Sequence, residues 1–209
     1  MLQNIHNGNV KLNINIIVAY CKTKGIGINN TLPWKIKTDM LKFKELTIGN
    51  SNNAVIMGKN TWESIPCKPL KSRNNLILSN TLSFDYRVLD EKLNKEYINK
   101  TFTSVNNLIN YCISASYETI WVIGGSSIYN TFLDNNLVDK LYITYLDYEF
   151  NCDTFFPEFD LKKYKLVEET IHNIGEDKSV NNKLLNNKLL NNKFNIYNHV
   201  YEKNRLFKR

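Results

Sequence analysis

Four short apolar runs, INIIVAY (14–20), AVIMG (54–58), NLILS (75–79) and TIWVIGG (119–125), are spaced along this chain with helix-patterned segments between them. Runs of four to eight residues that are rich in β-branched side chains and end on glycine or polar residues read as buried strands. The stretch TDMLKFKELT opens with a capping residue, Thr38, and an acidic first-turn residue, Asp39. It then places Met40, Leu41, Phe43 and Leu46 at helical spacing, which predicts a helix from Thr38 that ends by Gly49 with an apolar inner face. Segments 60–65, 105–116 and 126–135 supply further helical stretches. Strands alternating with helices require a parallel sheet covered on both faces. After residue 139 the pattern changes to KLYITYLDYEF (140–150), YKLVEETIH (164–172) and FNIYNHVYEK (194–203), with no helix between them, so an antiparallel finish is expected. The predicted fold is α/β: a single domain with a mostly parallel central β-sheet of about eight strands, an antiparallel C-terminal edge and helices on both faces.

A chain of 209 residues, 43% of them hydrophobic, suffices to bury one core. Residues 1–13 form a polar leader, 14–203 the folded domain and 204–209 a basic tail. The leader lacks the apolar stretch of a secretory signal, and no run is long enough to cross a membrane, so a cytoplasmic location is expected. The chain is also expected to be a monomer. Cys21, Cys67, Cys112 and Cys152 are scattered and form no C-x-x-C pair, which predicts reduced thiols and no metal site. The net charge of +7 comes mostly from evenly spread lysines. Without an arginine-rich run this suits anionic small molecules better than nucleic acid, which is not expected as a partner. KLLNNKLLNNK (183–193) repeats a short unit and reads as an insertion at about 176–193.

In open α/β sheets, ligands lie beyond the carboxyl ends of strands, where glycine admits a close backbone approach. MGKNTW (57–62) and IGGSSIY (123–129) are two such strand-to-helix turns. Neither is a G-x-G-x-x-G or a P-loop, and each alone is also an ordinary turn. Asp39 is likewise open to two readings from its position alone, as an acid favoured by the helix dipole or as a lone carboxylate placed for chemistry.

Taken in order, IIVAY, GIGINNTLPW, the helix-opening Asp39, VIMGKNTWESIP, PLKSRNNLILS, WVIGGSSIY, LYIT and DTFFPEFD resemble the dihydrofolate reductase family from about residue 14 to 174, and VYEK resembles its last strand. The resemblance implies NADPH-dependent reduction of 7,8-dihydrofolate to 5,6,7,8-tetrahydrofolate, which supplies one-carbon carriers for thymidylate and purine synthesis, and sensitivity to antifolate-type molecules. It makes Asp39 the acid that promotes protonation of N5 before hydride reaches C6. Thr144 becomes its hydrogen-bonding partner, and Leu32 and Trp34 the end of a mobile loop that closes over the nicotinamide. Val18, Met40, Phe43, Ile65, Leu70 and Ile123 match the positions that sandwich the substrate rings, and Arg73 matches the arginine that pairs with the glutamyl α-carboxylate.

For the cofactor, the resemblance implies Ala19, Ile26 and Gly27; Gly58, Lys59, Asn60 and Thr61; Leu78, Ser79 and Asn80; and Gly124, Gly125, Ser126, Ser127, Ile128 and Tyr129. It also implies a cis Gly124–Gly125 peptide. One departure stands out: Asn80 and Thr103 occupy places where family members commonly carry basic residues for the 2′-phosphate. A reductase of the same fold acting on another pterin-like or pyrimidine substrate, and a catalytically silent binding module, are the competing readings. Asp39 together with Arg73 argues against the first, and an assay with dihydrofolate and NADPH separates all three.

Overall fold

The structure, a computed structural model, describes residues 12–50, 52–173 and 194–207. The repeat insertion, most of the polar leader and the last two residues lie outside the described residues. The elements in chain order are β1 (Ile14–Cys21), β2 (Gly25–Gly27), α1 (Lys37–Ile48), β3 (Asn53–Gly58), α2 (Lys59–Ser64), β4 (Asn74–Leu78), β5 (Asp85–Asp90), β6 (Lys95–Phe102) and α3 (Val105–Ser114). They continue with β7 (Thr119–Gly124), α4 (Ser126–Asp134), β8 (Lys140–Leu146), β9 (Thr154–Phe155), β10 (Tyr164–Asn173) and β11 (Asn195–Lys203). This is the expected α/β class, with nine sheet strands against the eight or so anticipated. No helix among the described residues is long and apolar enough to cross a membrane.

Two compact units make up the chain. Residues 12–15 and 46–138 form one, and residues 16–45 with the described residues beyond 138 form the other. In the first unit the strand order is β7-β3-β4-β6-β5. Strand β3 runs parallel to both β4 and β7, β4 runs parallel to β6, and only β5 is antiparallel, to β6. The apolar runs read from the sequence are its core: Ala54 to Met57, Leu76, Ile77, Ile120 and Val122 are all fully buried. Side chains buried on both faces of a strand are what a parallel sheet requires. Helix α3 starts as a capped helix should, with the Ser104 side chain accepting from the Asn107 backbone N–H at 3.2 Å.

In the second unit the order is β10-β11-β8-β1, and both β10–β11 and β11–β8 are antiparallel, the finish that the sequence implies. A cluster of Cys21, Trp34, Ile36, Leu146, Phe150, Phe194 and Ile196 packs its interior.

Several expectations need correction. The hairpin β5–β6 was not anticipated, because β5 is exposed along nearly its whole length and carries no apolar run. The Gly/Asn-rich stretch KTKGIGINNTLPW (22–34), whose composition argues against regular structure, nevertheless contains β2, which pairs with β9, Gly25 opposite Phe155 and Gly27 opposite Thr154. The strand expected over 140–150 stops at Leu146. Helix α1 starts at Lys37, with Thr38 inside it, and the Met40 N–H already donates to Ile36 O at 3.1 Å. Its apolar positions do not form a core face: Met40 and Leu41 are more than half exposed and Thr47 alone is buried. An apolar stripe left on the surface is contact area rather than core.

Candidate active site

In the second unit Asp39, Met40 and Phe43 lie on α1 and Thr144 on β8. Asp39 is half-buried in the first turn of α1. The hydroxyl of Thr144, on β8, donates to Asp39 Oδ1 at 2.7 Å. Burial pushes the Asp39 carboxyl above its ordinary range, while the Thr144 hydrogen bond and the nearby Lys42 charge pull it partly back. Opposite Thr144 in the β8–β11 ladder stands Asn198, whose Oδ1 lies 3.3 Å from Thr144 Oγ1. Trp34 is buried against Phe150 with ring centroids 5.1 Å apart, and its Nε1 has no partner among the described residues. A buried donor of that kind suits a ligand or a water.

Leu32 and Met40 are exposed, Phe43, Ala19 and Ile26 are half-buried, and Val18 and Gly27 are buried. The segment that carries Leu32 is tied down before it. The Asn29 N–H donates to Asp153 Oδ2 at 2.7 Å, and Lys24 pairs with Glu158.

In the first unit the cofactor candidates Lys59, Leu78, Ser79, Asn80 and Ile128 line a cavity of about 370 Å³ together with Thr81, Thr103, Val105 and Thr131. Asn80 and Thr103, 23 residues apart in the chain, line the same cavity. Lys59 Nζ donates to Thr81 Oγ1 at 3.2 Å and lies 3.8 Å from Glu63 Oε1. Ser79 Oγ accepts from the backbone N–H of Thr81 and of Leu82, at 3.1 and 2.9 Å.

The glycine turns are tight. A Cβ on Gly58 would stand 3.0 Å from Ile128 Cγ1, and one on Gly124 would stand 2.9 Å from the Tyr129 ring. The Gly124 φ of +106° is one that side-chain-bearing residues rarely adopt. The Gly124–Gly125 peptide is cis, as expected. Thr61 Oγ1 faces Gly125, Ser126 opens α4, and Asn60 and Ser127 are exposed.

The same unit holds Arg73, buried at 5% exposure, with Nη1 donating to Thr47 Oγ1 at 2.8 Å and Nε donating to Lys71 O at 2.9 Å. Burial pulls its pKa down to about 10, so it stays charged at neutral pH. The loop before it is clamped by Asn75. Its Oδ1 accepts from the Leu70 N–H at 3.1 Å, and its Nδ2 donates to Leu70 O at 3.1 Å and Arg73 O at 2.9 Å. Leu70, Ile65 and Ile123 are half-buried.

The family model for dihydrofolate reductase matches residues 13–188. The chain belongs to the dihydrofolate reductase family. It is 36% identical over 166 residues to the dihydrofolate reductase of Heliothis virescens, covering 76% of this chain and 86% of that one. It is 36% identical over 181 residues to that of Rattus norvegicus, covering 81% and 94%. To that of Gallus gallus it is 34% identical over 164 residues, covering 75% and 84%.

Sequence reasoning about this dihydrofolate reductase family member missed four polar residues: Thr47, Asn75, Thr81 and Asn198. Thr81, two residues after Ser79, was within reach of a local reading. Asn75 reaches back only to Leu70 and Arg73, but Thr47 and Asn198 have no local signal, since each meets a residue brought to it by the fold.

Proposed function

We propose that this chain reduces 7,8-dihydrofolate to 5,6,7,8-tetrahydrofolate with NADPH, acting in the cytoplasm as a monomer, with residues 14–203 as one catalytic domain. The observation that carries the reading is the Asp39–Thr144 pair: a half-buried acid, raised by its surroundings and held by a buried hydroxyl at the mouth of an exposed apolar helix face. Such a carboxylate takes the paired N–H donors of a pterin ring and, when protonated, supports proton delivery to N5. Arg73 takes the glutamyl α-carboxylate with a desolvated guanidinium.

The residues of the first unit suit a phosphorylated dinucleotide. Lys59, Ser79 and Thr81 offer a cation and hydroxyls on one cavity, and Gly58 and Gly124 stand where a Cβ would crowd Ile128 and the Tyr129 ring. When bound, NADPH supplies the hydride. The segment 23–33 matches the family's mobile loop, whose closure excludes water from that transfer.

The decisive experiment follows absorbance at 340 nm with purified protein, dihydrofolate and NADPH. Loss of NADPH absorbance that depends on dihydrofolate supports the reading. Turnover of another pterin or pyrimidine in its place supports the alternative reductase, and no turnover of any of them overturns the enzymatic reading altogether.

A further inference from the structure

Thr144 stands between two acceptors. Its Oγ1 is 2.7 Å from Asp39 Oδ1 and 3.3 Å from Asn198 Oδ1, and both Thr144 and Asn198 are 8% exposed. A hydroxyl has one proton and two lone pairs, so it cannot donate to both. The carboxylate is closer and, when ionised, the stronger acceptor. With the proton committed to Asp39, a carbonyl end turned to Thr144 would set oxygen lone pairs against oxygen lone pairs in a buried place, which is costly. The carboxamide has a second end of the same shape, and a half-turn about its last bond brings N–H to Thr144 instead.

We propose that Asn198 is a positioning residue for Asp39, acting through Thr144: its carboxamide N–H donates to the Thr144 hydroxyl oxygen and so commits that hydroxyl's only proton to the acid. The inference rests on the reading of Asp39 as the acid of dihydrofolate reduction. The ladder register supports it, because Asn198 and Thr144 are direct cross-strand partners and their side chains share one face.

Few other groups act there. Lys42, on the acid's own helix, is the charge that bears on Asp39. Farther along β8 and β11, Tyr142 lies in the field of Glu168 and Glu202, and Glu202 pairs with Lys140 at 3.8 Å. His199, the next residue in β11, points to the opposite face, where it pairs with Glu169 at 2.9 Å and stacks with Tyr145. A donor chain from Asn198 through Thr144 polarises each bond in turn and so strengthens the last one. Its effect is to favour the ionised acid against the desolvation that raises it.

The test reads the Asp39 carboxyl titration by carbon NMR in the full-length protein, alongside the pH profile of hydride transfer. Asn198→Leu keeps the volume and removes both ends of the amide. The Asp39 titration is expected to move up by a few tenths of a pH unit, with no shift when the same substitution is made in Thr144→Val. A downward shift would mean that the amide carbonyl competes for the proton, and an unchanged titration would mean that Asn198 only packs; either overturns the proposal.

If the Leu variant does not fold, the wild-type protein decides the matter. Contacts between the Asn198 side-chain amide protons and Thr144 support the proposal, and their absence refutes it. Failure of the underlying reading is separate, because it would appear as normal turnover in Asp39→Asn whatever the titration does.

Discussion

The hydroxyl of Thr144 donates to Asp39 Oδ1 across 105 residues of chain, at 2.7 Å, while the helix that carries Asp39 leaves Met40 and Leu41 on the surface. Removing the charge without changing the shape is the sharpest probe of that pair. Asp39→Asn is expected to leave NADPH binding intact and to lower turnover at neutral pH on the order of 10²-fold or more. Steady-state kinetics with a parallel cofactor titration checks it, and near-normal turnover would refute the catalytic role.

The same residue makes a pH prediction for stability. Its folded-state pKa is raised above the unfolded value, so the folded state binds the proton more tightly and ionisation at neutral pH disfavours it. Asp39 therefore costs stability at neutral pH, and that cost shrinks as pH falls below the raised folded-state value and is gone below the unfolded value. Asp39→Asn should raise the melting temperature at pH 7, with the gain shrinking toward acid pH. A gain independent of pH would assign the effect to something other than the charge.

Arg73 and Thr47 form the second testable pair. Arg73→Ala is expected to weaken dihydrofolate binding by roughly 2–5 kcal/mol through loss of a desolvated charge pair, while a pterin without the glutamyl tail is handled almost unchanged. Thr47→Val removes one hydrogen bond to the guanidinium and should cost about 1.5–3 kcal/mol in the same tail-dependent manner. Equal losses for both substrates would make Arg73 a residue of the fold alone.

Gly124→Ala introduces a Cβ at a φ of +106° and 2.9 Å from the Tyr129 ring. Strain of this kind costs about 1–3 kcal/mol. A lower melting temperature and weaker NADPH binding are expected, measured by calorimetry and cofactor fluorescence. Unchanged values in both would show that the turn adapts to a side chain.

Lys59 is the cation of a cavity wall that Asn80 and Thr103 leave neutral. Lys59→Ala should raise the Michaelis constant for NADPH and spare that for NADH, and added salt should reproduce part of the change. Asn80→Arg should widen the preference for NADPH. An equal loss with both cofactors would place Lys59 on the shared pyrophosphate.

The strands around the glycine turns were legible because a buried parallel strand needs an unbroken apolar run, and 54–58, 75–79 and 119–125 have one. Strand β5 was not, because an exposed edge needs no such run. Arg73 looks like any surface arginine in one dimension. Only the folded chain shows it buried against Thr47, 26 residues earlier. The apolar spacing of α1 was read correctly as a helix and wrongly as a core face, since periodicity reports a stripe but not what the stripe meets.

The triple clamp of Asn75 has a consequence for how this protein can change over generations. Because a single carboxamide holds Leu70 and Arg73 by their backbone atoms, the identities of the exposed Cys67 and Lys71 are of little account to the path of the loop. Mutational drift can rewrite the outside of this segment while the arginine keeps its aim, and the constraint falls on one asparagine in the strand behind it.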